Sequence, residues 1–244
     1  MDLFTIGYAF VALLVAGFVR GYCGFGFSAI TVTALSLFLL PKEIVPVILC
    51  LEILASIHML PKAWKQTDWK LIGWLMLGAA IATPVGVWVL ATLPEKPMRI
   101  ILCLVVLGLS LLLLRGRRIS NPNHALTRIS VGFVSGLFNG AAAIGGLPVV
   151  LFLIAAAAQA AVLRATMATY FLFSEFLALG SAHFNGLLNM EVFWRLVLFT
   201  LPMIIGVQLG SRHFFNANPE SFKRFALSLL ILLSVSGLIK AALS

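Results

Sequence analysis

Charge is scarce in this 244-residue sequence: Asp, Glu, Lys and Arg make up 10% of it, against roughly 25% in a soluble domain. No polar stretch exceeds about a dozen residues, which leaves no room for a soluble catalytic or nucleotide-binding domain. A Gly-x-x-x-x-Gly-Lys-Ser/Thr phosphate loop is missing, so transport by this chain alone would draw on a gradient rather than ATP. The three cysteines, Cys23, Cys50 and Cys103, are odd in number, lie in apolar surroundings and lack metal-ligand spacing. Neither a disulfide framework nor a metal or cofactor is expected. Met1 to Gly7 contains Asp2 and no Lys or Arg; without the basic n-region of a cleaved signal peptide, the first apolar span is expected to be retained.

What is present is apolar. Hydrophobic residues form 61% of the chain and the mean hydropathy is +1.09, the composition of an all-α polytopic membrane protein. The net charge of +9 comes from basic residues in short loops, where topology and anionic lipid headgroups account for them better than nucleic acid does. Pro, Gly and charge breaks divide the apolar sequence into ten segments: 3–20, 25–40, 44–60, 70–93 and 98–114, then 128–138, 147–158, 162–184, 192–211 and 221–243. Two sets of five read as a duplication. Gly17 to Gly21 (GFVRG) matches Gly132 to Gly136 (GFVSG), Glu52 answers Glu175, and Pro94-Glu95 with Arg99 answers Pro219-Glu220 with Arg224. The expected organisation is a first repeat over 1–118, a cytoplasmic linker over 119–127 and a second repeat over 128–244. Because five is odd, the second repeat would enter the bilayer from the opposite face, giving inverted topology. Alternating the segments puts twelve of the 17 Lys and Arg on one side, among them Arg20, Arg117, Arg118, Arg164 and Lys223. That side is expected to be cytoplasmic, with both termini periplasmic.

Two glycine-rich interruptions mark the expected site: Gly21 to Ser28 (GYCGFGFS) and Asn139 to Pro148 (NGAAAIGGLP). Segment 147–158 is too short to span a ~30 Å hydrocarbon core, so the second interruption reads as the tip of a re-entrant hairpin. The first could be a tip or a loop between full spans. Backbone broken at membrane depth survives only inside protein or beside a wet cavity. A helix beginning at each tip would aim unpaired N–H groups at the interior, which suits an anion. The candidate anion contacts are Arg20, Gly24, Gly26, Ser28, Asn139, Gly140, Gly145, Gly146 and Pro148. The plainer reading of the glycines is close helix packing. Arg20 at the first tip also reads as a cytoplasmic-interface residue, because a buried arginine is costly. Glu52 and Glu175, deep in their segments, are candidate proton carriers, or else hydrogen-bonded anchors to a neighbouring helix.

With GFVRGYCGFGF, GLFNGAAAIGGLP and a Glu-bearing segment after each, the sequence resembles the TauE/SafE family of sulfite exporters over nearly its full length. The family's second glycine motif is matched by Gly145, Gly146 and Pro148; the first copy departs from it, with Phe25 and Phe27 among its glycines and no proline. The resemblance implies a bacterial inner-membrane carrier of a small sulfur-containing anion such as sulfite or an organosulfonate. The rival readings are an anion channel, a noncatalytic subunit of a larger complex, or an integral membrane enzyme acting on a lipid phosphate. The last would need Ser, His, Arg and Glu clustered at tips that here hold mostly Gly, Ala and Phe. Expected partners are the anion and membrane lipids, with no nucleic acid; a homodimer is kept as a candidate assembly.

Overall fold

The computed structural model describes residues 3–115, 122–213 and 219–243, and all of its regular structure is helical. Ten α-helices follow one another: α1 Leu3–Cys23, α2 Phe27–Leu35, α3 Pro41–Ala63, α4 Trp69–Thr92, α5 Glu95–Arg115, α6 Ala125–Ala142, α7 Gly146–Ala155, α8 Ala160–Phe184, α9 Met190–His213 and α10 Pro219–Leu243. Arg117, Arg118 and the start of the expected linker lie outside the described residues, as do the side chains of Lys62, Lys223 and Arg224. The boundaries have local causes. Pro41 opens α3 at a position where its missing N–H costs nothing. Asp68 caps α4 by accepting from the Leu71 N–H at 2.9 Å, and Asn189 accepts from the Val192 N–H at the start of α9.

Six helices, α1, α3, α4, α5, α8 and α9, are long and apolar enough to cross a membrane. Their outward faces are apolar: Leu77, Ile81, Val85 and Trp88 follow one another at helical spacing along exposed α4, as a lipid-facing stripe would. Buried polar side chains include Arg20, Ser28, Glu52, Asn139 and Glu175. α3 and α8 form the centre, each with 67% of its span buried, against 33 to 44% for the other four.

α2 and α7 are short, nine and ten residues, or about 14 and 15 Å at 1.5 Å per residue. Neither can span, so the first glycine interruption is not a loop between two full spans. Each separates a long helix from a short one. The break between α1 and α2 uses Gly24 (φ 81°) and Gly26 (φ 97°), a left-handed backbone that glycine takes without strain. Between α6 and α7 the left-handed residue is Ala143 (φ 56°). It closes α6 with bonds from its own N–H to Asn139 O and from the Ile144 N–H to Phe138 O.

The helices do not pair by sequence halves. α1 lies along α9 and α4 along α6, while α3 packs on α8 and α5 on α10. Exchanging the two sets of five maps these pairings onto one another; α2 on α10 likewise answers α7 on α5, and α3 on α9 answers α8 on α4. The two long cross-pairings are built on small residues. A Cβ on Gly21 would overlap the Val207 carbonyl oxygen and one on Gly210 that of Phe18; across α4 and α6, Gly132 meets Leu75 and Gly78 meets Ile129 in the same way. Backbones at this distance gain dispersion contacts that any side chain would block.

Candidate functional site

Both tips and both acidic residues meet against the central α3–α8 pair. In α3, Glu52 is completely buried, and its polar partners among the described residues, Ser28 and Arg20, belong to the first tip. Its Oε1 accepts from the Ser28 hydroxyl at 2.9 Å and from the Ser28 N–H at 3.3 Å. Its Oε2 stands 3.2 Å from Arg20 Nε. Ser28 is the second residue of α2, so the carboxylate sits at a helix N-terminus, where unpaired amides and the end of the macrodipole favour negative charge.

Arg20, in the last turn of α1, is also completely buried. Besides Glu52 it donates to Gly24 O and, through Nη2 at 3.1 Å, to the Ser56 hydroxyl. Ser56 is one helical turn beyond Glu52, on the same side of α3. The expected water-facing interface position for Arg20 is therefore corrected. A buried guanidinium is costly when alone, but here a carboxylate, a hydroxyl, a carbonyl and an aromatic face replace its water.

The second tip repeats the plan with different residues. Glu175 in α8 is completely buried, and its Oε2 accepts from Asn139 Nδ2 at 3.2 Å. Asn139 in turn accepts from the Gly145 N–H at 3.4 Å, ahead of the first turn of α7. Ser135, the counterpart of Arg20, donates to Gly145 O at 2.6 Å and shares a 2.7 Å hydrogen bond with Tyr170. Among the described residues no cation is hydrogen-bonded or ion-paired to Glu175, and its Oε1 is buried with no hydrogen-bond partner. Arg20 and Glu52 both lie within its electrostatic reach. Arg20, Glu52 and Glu175 thus form one electrostatically coupled cluster.

Phe171 joins the two tips. Its ring lies under the Arg20 guanidinium, 4.3 Å from centroid to Cζ, a cation–π contact between two buried groups. The same ring abuts the second tip, because a Cβ on Gly146 would overlap its Cζ. α8 also supports the first tip from below: Arg164 Cγ would lie 2.7 Å from a Cβ on Gly24, and Arg164 Nη2 donates to Gly21 O at 2.6 Å.

Of the residues singled out from sequence, Arg20, Ser28 and Glu52 form one contact set and Asn139, Gly145 and Glu175 another, with Gly24, Gly26 and Gly146 at the turns. Two stand apart. Gly140 lies on the α4 face of α6, where a Cβ would overlap the Thr83 carbonyl oxygen, so its small size serves packing. Pro148 is in the first turn of α7 but has no N–H to offer an anion. It borders a groove of about 500 Å³ with Leu109, His124 and Val134. That groove and a cavity of about 210 Å³ beside Asp68, Asn123 and Arg128 both lie away from Arg20, Glu52 and Glu175. Sequence reading passed over Ser56, Ser135, Arg164, Tyr170 and Phe171. The available signal was spacing: Ser56 is four residues after Glu52 and Phe171 four before Glu175, one turn away on the same helix face.

A family model described as sulfite exporter TauE/SafE matches residues 9–237. No curated protein and no solved structure matches the chain.

Proposed function

Because the chain belongs to the TauE/SafE family of sulfite exporters, we propose that this multi-pass membrane protein is a proton-coupled secondary carrier of a small sulfur oxyanion, sulfite or an organosulfonate. One observation carries this reading: the Glu52 carboxylate occupies a ready-made oxyanion seat formed by the α2 N-terminus, the Ser28 hydroxyl and Arg20. A sulfite or sulfonate group offers the same kind of oxygens to the same donors. When it takes the seat, Glu52 loses its partners, and an unpaired carboxylate in a dry interior is too costly to persist. Glu52 therefore leaves as the neutral acid, having taken up a proton.

Glu175 is the second proton site in this reading. Its Oε1 is buried and unpartnered, so it gives up its proton only when the site opens to water. Anion and proton then travel together, and departure of the anion lets Glu52 return to Arg20. The exchange-symmetric helix pairing supports two repeats of inverted topology, 1–118 and 128–244, with α2 and α7 approaching the site from opposite faces. A bacterial inner membrane with both termini periplasmic is the placement that the family and the distribution of basic loops favour.

The experiment is sulfite flux in proteoliposomes under an imposed pH gradient. The native chain should show gradient-dependent flux, and Glu52→Gln or Glu175→Gln should uncouple it. Unchanged coupling in both variants would remove the carboxylates from the mechanism.

A further inference from the structure

We propose that Phe171 is the residue that sets the size of anion the site accepts. This inference rests on the anion-carrier reading and extends it to a residue which that reading does not use. Three observations meet at this ring. It covers the guanidinium of Arg20, 4.3 Å away; it fills the space beside Gly146, where even a methyl group would overlap Cζ; and it is one turn from Glu175, whose Oε1 is buried and unpartnered. The ring therefore occupies the volume next to the oxyanion seat, between the seat and the start of α7. An anion held by Arg20 and Ser28 lies beside this volume, and a substituent on its sulfur that is directed toward α8 meets the ring. Sulfite has no such substituent, whereas a sulfonate carries a carbon chain or ring.

The 1% exposure of Phe171 means that truncation opens space inside a closed core. A space of this size takes up flat groups such as benzene where its walls are apolar, and here Arg20 at one wall offers a sulfonate its counter-charge. Replacing the phenyl ring by a methyl group should let an aryl sulfonate supply the missing ring, with its sulfonate on Arg20 and its aromatic face where Phe171 had been.

The test is inhibition of sulfite flux in proteoliposomes by benzenesulfonate and by methanesulfonate, each half-inhibitory concentration divided by the KM for sulfite of the same variant. For Phe171→Ala the benzenesulfonate ratio should fall roughly tenfold or more, the scale of discrimination set by a pocket wall, with the methanesulfonate ratio within about twofold of native. Phe171→Leu keeps an apolar plug of similar bulk and should fall between the two; it carries the test alone if Phe171→Ala does not fold. Benzenesulfonate ratios equal to native in the folded variants would overturn the proposal, as would an equal gain for both sulfonates. Failure of the native chain to move sulfite is a separate result and would defeat the carrier reading, and this inference with it.

Discussion

Arg20 shows what a one-dimensional reading can and cannot weigh. From sequence the cost of burying a guanidinium was visible, but its compensation was not, because Glu52, Ser56 and Phe171 are brought to it only by the packing of α3 and α8 on α1 and its tip. Glu52 and Glu175 were legible for the opposite reason: an acid deep in an apolar run stands out whatever surrounds it. Ser135, Tyr170 and Phe171 were not, since one hydroxyl and two aromatics in apolar sequence are ordinary lining. The pairing makes Arg20→Met costly. It strands a buried carboxylate and should lower stability by about 3–5 kcal/mol, read as the shift in denaturant midpoint in detergent. Arg20→Met combined with Glu52→Gln removes both charges and should regain most of that loss. A double variant no more stable than the single would mean that the ion pair does not decide the stability of the tip.

At the level of the helices, the ten segments expected from apolar runs all exist, displaced by a few residues. Two differences have physical causes. α2 stops at Leu35 although apolar sequence continues through Leu40. The Leu37 N–H bonds back to Ala34 O and the Phe38 N–H to Leu35 O, three residues earlier rather than four, so the chain tightens into a turn that hydropathy does not register. α6 runs from Ala125 to Ala142, well beyond the expected 128–138, because glycines that resemble helix breaks lie inside the helix and face α4. The lead-ins GFVRG and GFVSG both lie inside helices, where their flanking glycines serve helix pairing, and the turns follow at Gly24, Gly26 and Ala143. An alanine at Gly21 or Gly132 must push two backbones apart, at about 1–3 kcal/mol each. At Gly73 or Gly108, where a Cβ meets nothing within 4 Å, the same change should be neutral or stabilise by about 0.5–1 kcal/mol. Thermal unfolding of the four variants would compare them directly, and equal losses at all four would rule out contact-limited packing.

For the molecule as a whole, two sets of five segments were readable in the sequence, but the way these sets interlock was not. Motif offsets register resemblance between segments and carry no information about which helix lies beside which. Rocking residues 1–118 against 128–244 as rigid bodies would shear α1 from α9 and α4 from α6, two extensive glycine-mediated pairings. Movement that exposes the site to either side has to keep these pairs together and shift them about the α3–α8 centre. The same interlocking makes each half dependent on the other. Fragments 1–118 and 119–244 produced separately should be unstable and recovered in low yield, whereas co-expression should give a complex that copurifies through a tag on either one. Stable, separately folded fragments would contradict the packing.

The α1–α9 pairing also bears on biosynthesis. Gly21 O accepts from Ser211, 190 residues further along the chain, so α1 meets its most extensive partner only when α9 has been translated. Until then its glycine face has only lipid or an insertion chaperone against it, and synthesis interrupted before α9 would leave a segment for quality-control proteases to find.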